Sequence, residues 1–202
     1  MGVYKLSTAG GLATPRTNYS SFLAGNPAVT PPSYQSIATV TLSSSQATIS
    51  FTSIPATYKH LQIRDLSRNI GAGTGASDIK MLFNSDTGAN YSIHYVDGTG
   101  ASVTQAGAAT RSDPRAGLSV DGGAAASIFG ANVTDILDYS DTNKYKTTRT
   151  IGGADLNGAG SFRLTSGVWM NTAAITRIDF TDLSGSNFAQ YSSFALYGIK
   201  GA

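Results

Sequence analysis

Two histidines, His60 and His94, are the first places to look for chemistry in this chain of 202 residues. Neither belongs to an H-E-x-x-H or H-x-x-E-H pattern, and each falls on the polar face of a predicted strand, so each reads as a solvent-facing or hydrogen-bonded side chain. Serine is abundant, but the nucleophile elbow G-x-S-x-G is absent. Gly71-Ala72-Gly73-Thr74-Gly75-Ala76 lacks the Lys-Ser/Thr ending of a phosphate loop, and no helical pattern follows it. Asn84, Asp86 and Asn90 resemble part of a calcium loop, but the twelfth position, which should be Glu, is Tyr95. All 12 acidic residues are Asp. A pair of Asp could cleave a glycoside, but Asp138 and Asp141 fall at a strand end and its turn. Trp169, the single tryptophan, points away from Val168 and Met170, which suits core or subunit-interface packing better than a sugar platform. These residues imply no reaction, no metal and no cofactor; the expectation is a protein that is not an enzyme.

Composition narrows the partners. Charged residues are 13% of the chain against 41% hydrophobic, and 23 glycines stand among many Ser, Thr and Ala. Such a neutral, small-residue surface suits packing against other proteins. A net charge of +2 with dispersed Lys and Arg argues against nucleic-acid binding, which needs clustered cations. The densest basic group, Lys144, Lys146 and Arg149, reads as a strand edge kept soluble by Lys. The chain has no cysteine, hence no disulfide and no thiolate chemistry. No apolar run reaches the ~20 residues that span a bilayer, so membrane insertion is not expected. The N-terminus shows no apolar secretory segment, and synthesis in a cytoplasm is expected.

The elements that would position these residues alternate with period 2. Residues 37–42 and 47–52 carry Ala38, Val40, Leu42 and Ala47, Ile49, Phe51 on one face each and read as a β-hairpin with a Ser-rich loop. Further strands are expected at 60–64, 79–83, 91–96, from Ala126 to Tyr139 in one or two pieces, 145–151, 162–170 (after a turn at Asn157-Gly158), 175–180 and 193–199. Residues 67–77 and 99–125 read as a glycine-rich loop and a long, weakly patterned region. About ten strands and no helical period predict an all-β, antiparallel, jelly-roll-like β-sandwich over residues 33–202.

Residues 1–32 differ in kind. Four prolines, scattered glycines and no apolar period predict an extended arm that cannot fold alone. It nevertheless carries Tyr4, Tyr19, Phe22 and Leu23 as apolar anchors, with Arg16 able to pair with a carboxylate. An arm so equipped is expected to order on a partner.

Several stretches resemble a family of tailed-phage virion structural proteins, of fibre or decoration type, from cyanophage and marine phage. They are KLSTAGGLATPRTNYSSFLAGNP (5–27), SYQSIATVTL (33–42), ISFTSIPATYKHLQIR (49–64), FNSDTGANYSIHY (83–95), DILDYSDTNKYKTTRTIGG (135–153), LTSGVWMNTAAIT (164–176) and SSFALYGIKG (192–201). The resemblance implies a place in the virion, with capsid or tail subunits as partners of the arm. It implies a homo-oligomer, a trimer by analogy with virion appendages. It supplies no catalytic residues. The alternative is a receptor-binding fibre module that recognises a host surface glycan through 67–77 and 99–125.

Overall fold

The computed structural model describes residues 33–201. These form twelve strands and no helix: β1 (Tyr34–Thr41), β2 (Thr48–Phe51), β3 (His60–Ser67), β4 (Ala76–Phe83), β5 (Tyr91–Gly98), β6 (Val103–Arg111), β7 (Arg115–Val120), β8 (Gly130–Leu137), β9 (Lys146–Asp155), β10 (Gly160–Trp169), β11 (Ile178–Asp182) and β12 (Ser193–Ile199). All pairings between strands are antiparallel. One sheet has the order β1-β12-β3-β8-β9-β10-β5-β6 and the other β2-β11-β4-β7. The chain is therefore all-β, two antiparallel sheets in a β-sandwich, as its alternation predicts.

The topology is that of a jelly roll with two insertions. The eight strands β1-β12-β3-β8 and β2-β11-β4-β7 are its two sheets. The hairpin β5–β6 is inserted between β4 and β7, and β9–β10 between β8 and β11. Both insertions join the first sheet and double its width.

This topology corrects four expectations. The segments 37–42 and 47–52 are not a hairpin: β1 pairs with β12 and β2 with β11, in opposite sheets. Both strands turn an apolar face to the same core, so their alternation looks identical whichever sheet each joins. Residues 99–125 are not a long loop but hold β6 and β7. β6 is exposed on both faces and β7 is buried on both, so neither shows a half-buried period. Lys144, Lys146 and Arg149 do not mark an edge, because β9 lies between β8 and β10. The strand after the middle region begins at Gly130, later than Ala126.

The apolar core fills the sandwich under β2, β11 and β4. Ile49, Phe51, Ile79, Met81, Phe83, Ile178 and Phe180 meet Leu61, Ile63, Ile136, Trp169, Phe194 and Leu196 from the opposite sheet. Offset and tilted aromatic pairs link them, with Phe180–Phe194 at 5.2 Å and Phe83–Trp169 at 5.6 Å between centroids. Each such side chain contributes roughly 1.5–3 kcal/mol through burial. Trp169 is a core residue whose indole Nε1 donates to Asp86 Oδ2 at 2.7 Å.

Under β7 the interior turns polar. Asn132 on β8 reaches across and acts like a ladder partner, accepting from Leu118 N at 2.9 Å and donating to Leu118 O at 3.0 Å. Gly117, at φ +117°, leaves room for that amide; a Cβ there would collide with it. The same Asn132 donates to Asp65 Oδ2 at 2.8 Å, and Ser67 donates to that oxygen at 3.0 Å. Arg163 bridges Asp78 and Asp97, and Arg115 also pairs with Asp78.

Two buried cations act as caps for backbone oxygen. Lys146 is fully buried, and its Nζ donates to the carbonyls of Asp141, Lys144 and Thr172. Burial lowers its pKa. Arg68 donates to the carbonyls of Gly122, Ala124, Ala125 and Ile128 at 2.7–2.9 Å, which fixes the β7–β8 connection.

Candidate contact face

The chemistry-bearing residues are dispersed. His60 Nδ1 accepts from Asp138 N at 3.0 Å on β3, while His94 lies exposed on β5, with β8, β9 and β10 between. Asp138 pairs with Lys59 and Lys144, whose hydrogen bonds lower its pKa to about 2. It is thus held ionised, the opposite of a general acid. Asp141 shares Lys144. Asp86 takes Trp169, Asn90 and the Gly88 amide, so its oxygens stitch a turn to the core. Among the described residues no group of three or more His or Asp could hold a metal ion. The predicted anchors Tyr4, Arg16, Tyr19, Phe22 and Leu23 lie outside the described residues.

The glycine-rich segment packs against the chain that follows β7. Residues 69–77 dock on 121–123: Asp121 Oδ1 accepts from Asn69 Nδ2 and from Ser77 Oγ, both at 2.8 Å, and Gly123 N donates to Gly73 O. The 43–46 turn and residues 187–190 join them at the same end of the jelly roll, through Gln46 to Phe188 and Ile70 to Asn187.

The outer face of the eight-stranded sheet is the feature that sequence reading missed. Side chains alternate across a strand, so the registers place two neighbouring rows on this face. One row runs Gln105, Val96, Leu164, Ile151, Val133, Arg64, Ala195, Thr39 from β6 to β1. The next runs Val103, Gly98, Phe162, Gly153, Ala131, Leu66, Ser193, Thr41. Arg64 is the only charged member of either. Phe162, Leu66, Leu164 and Ile151 are 56%, 51%, 48% and 48% exposed.

Small residues between these side chains leave hollows. A groove of about 690 Å³ is floored by Gly98, Gly153 and Ala131 beside Phe162 and Ile151. A second of about 380 Å³ lies by Leu66, Val133 and Ala195. A third of about 490 Å³ lies by Val96 and Leu164. A polar row, His94, Ser166, Arg149, Asp135 and Gln62, borders the band. At its β1 end Tyr34 stacks on Tyr197 at 4.9 Å, and Arg64 lies 5.7 Å from both rings. A signal existed: Phe162 and Leu164 alternate with Trp169's face on β10, so that strand carries apolar residues on both sides.

This is a wide, largely apolar band with shallow hollows and a single charged member, Arg64. The fold is a jelly-roll β-sandwich with a broadened first sheet. Compared with known proteins, the chain matches no family model, no curated protein and no solved structure.

Proposed function

We propose that this chain is a structural protein of a tailed-phage virion, without catalytic activity. Its arm, residues 1–32, attaches it to capsid or tail subunits through Tyr4, Arg16, Tyr19, Phe22 and Leu23. Its sandwich is displayed as a decoration or fibre component, within a homo-oligomer. The observation that carries this reading is the contact face. Four large apolar side chains stand half exposed on it, and covering them is worth roughly 1 kcal/mol each to an association. Arg163, Asp78 and Asp97, by contrast, are engaged with one another inside the fold. The resemblance of 5–27 and of the strand segments to virion proteins points the same way, and jelly rolls recur in capsid and lectin domains, which is support by analogy.

Tyr34–Ala202 is a compact unit by itself, so the arm can be removed cleanly. A chain lacking residues 1–32 is expected to fold with the β-spectrum of the full chain and to be missing from purified particles. Normal incorporation of the truncated chain refutes attachment by the arm. A second reading, a fibre module for a host glycan, is favoured by Phe162 standing beside the 690 Å³ groove with Thr99, Asp155 and Ser161 at its lining. Its test is a glycan array: binding that Phe162→Ala abolishes supports it, and no binding by the full chain removes it.

A further inference from the structure

The edge strand β6 carries an inference independent of where the protein resides. We infer that β6 is an association strand: it pairs antiparallel, about a two-fold axis, with β6 of a second copy, joining two eight-stranded sheets into one.

Four observations lead there. β6 is the outermost strand of its sheet, bonded to β5 on one side only. Its other side therefore offers a row of backbone N–H and C=O groups to whatever can match them. Its burial pattern is exposed or intermediate at all nine positions, and Val103 is 74% exposed. The sandwich does not cover it on either face, so the core does little to hold it. Of the devices that normally protect an edge, the described strand has only a bulge at its far end, between Ala108 and Arg111. Val103 to Thr110 contains no Lys, no Pro and no charge, and the first charged residue, Arg111, is tied to Asp113 at the strand end. Its ladder to β5 is regular from Ile93 to Gly98, with the irregularity confined to the Tyr91 end. Val103–Ala108, six regular and uncharged residues, is an open template.

Charge and shape decide the occupant. A foreign strand added to a sheet edge is selected by pockets that read alternate side chains. β6 offers mostly Thr, Gln, Ala and Gly, and of the three grooves only the 490 Å³ one touches it, at Gln105, Ala106 and Gly107, a single hollow instead of the alternating series that reads a foreign strand. What it does match is itself. Two copies bring no like charges together, and their small side chains meet without collision. Pairing across the edge also continues the apolar row Ile151–Leu164–Val96 through Gln105 into the same row of the partner. The other edge, β1, is bulged as well, at Ser36–Ala38, and follows directly on residues 1–33. Six residues span about 20 Å, so the joint lies at the small end of specific interfaces, the size of weak, transient associations.

The test uses the full chain. Sedimentation is expected to show a monomer–dimer equilibrium. Thr104→Lys with Ala106→Lys, both exposed, should weaken it at least tenfold while leaving the melting temperature unchanged. Because the chain has no cysteine, single substitutions Thr104→Cys, Gln105→Cys, Ala106→Cys and Ala108→Cys give a direct register map. Mild oxidation should link copies only at positions near the two-fold, where facing Cα atoms approach the roughly 5.5 Å a disulfide needs. A chain that remains monomeric and unlinked overturns the proposal. So does an oligomer indifferent to the two lysines. So does cross-linking of Gln105→Cys to Thr39→Cys between copies: that contact joins β6 to β1, and would build a closed ring such as a trimer instead of a two-fold pair.

Discussion

Asp65 is buried on β3, 5% exposed, and receives hydrogen bonds from Asn132 and Ser67 but faces no cation. Burial raises its pKa to about 7, and those two donors offset only part of that rise. The reference value is 3.8, so the folded protein holds this proton about three pH units longer than the unfolded chain. At about 1.4 kcal/mol per unit, the ionised carboxylate costs roughly 4 kcal/mol of stability. The sign follows from proton counting. Between about pH 4 and pH 7 the folded state binds the proton and the unfolded state does not, so stability falls as pH rises through that window. It is complete below about pH 4 and gone above about pH 7. For a domain of this size, 4 kcal/mol corresponds to about 8–16 °C in Tm. Asp65→Asn offers the same oxygen to both donors and cannot ionise. Thermal melts of both proteins from pH 4.5 to 8 should therefore show a wild-type Tm that falls with pH and an Asp65→Asn Tm that stays nearly flat. His60 and His94 are common to both proteins and cancel in the comparison. Equal slopes for the two proteins would refute the reasoning, because the pH dependence would then arise elsewhere.

Other substitutions separate buried from exposed charge. Lys146→Met leaves three carbonyls without their donor and should cost about 3 kcal/mol in urea unfolding; Lys146→Arg, too large for the site, should not restore it. Arg68→Ala frees the carbonyls of 122–128, and limited proteolysis should cut there first while the rest of the sandwich stays folded. Asp138→Asn removes a carboxylate whose pKa lies near 2 because of Lys144 and Lys59, a contribution present at neutral pH and lost only as pH falls toward 2. These partners are half exposed, so the Tm at pH 7 should move by no more than about 2 °C.

Period-2 alternation made the all-β class and the sandwich legible, and it located β3, β4, β5, β10 and β12 closely. It could not say which sheet a strand joins. β1 and β2 illustrate this, since a hairpin and a crossing between layers leave the same pattern of Ala38, Val40, Leu42 and Ile49, Phe51. Alternation also vanishes where both faces share one environment, which hid β6 and β7. Trp169 was readable as packing because its strand neighbours pointed the other way. Lys146 was not, because a buried lysine is justified only by carbonyls from residues 141, 144 and 172. The contact face escaped for a related reason. Leu66, Ile151 and Phe162 are ordinary apolar residues until the registers place them side by side on the outer surface.

The order of strands in the sheets also governs when the domain can form during synthesis. β12 lies between β1 and β3, and β11 lies between β2 and β4. Each is made long after the neighbours it joins. While the ribosome is still translating residue 177, β1 and β2 have no partner at all, and β3 and β4 each have an open side. The nascent chain must therefore carry unpaired, apolar strands until β11 and β12 have been made, and pairing over such sequence separations is slow. A stop before residue 178 would remove both β11 and β12 and leave β1 and β2 without any partner, where a stop after β9 in a locally wired fold would leave most of one.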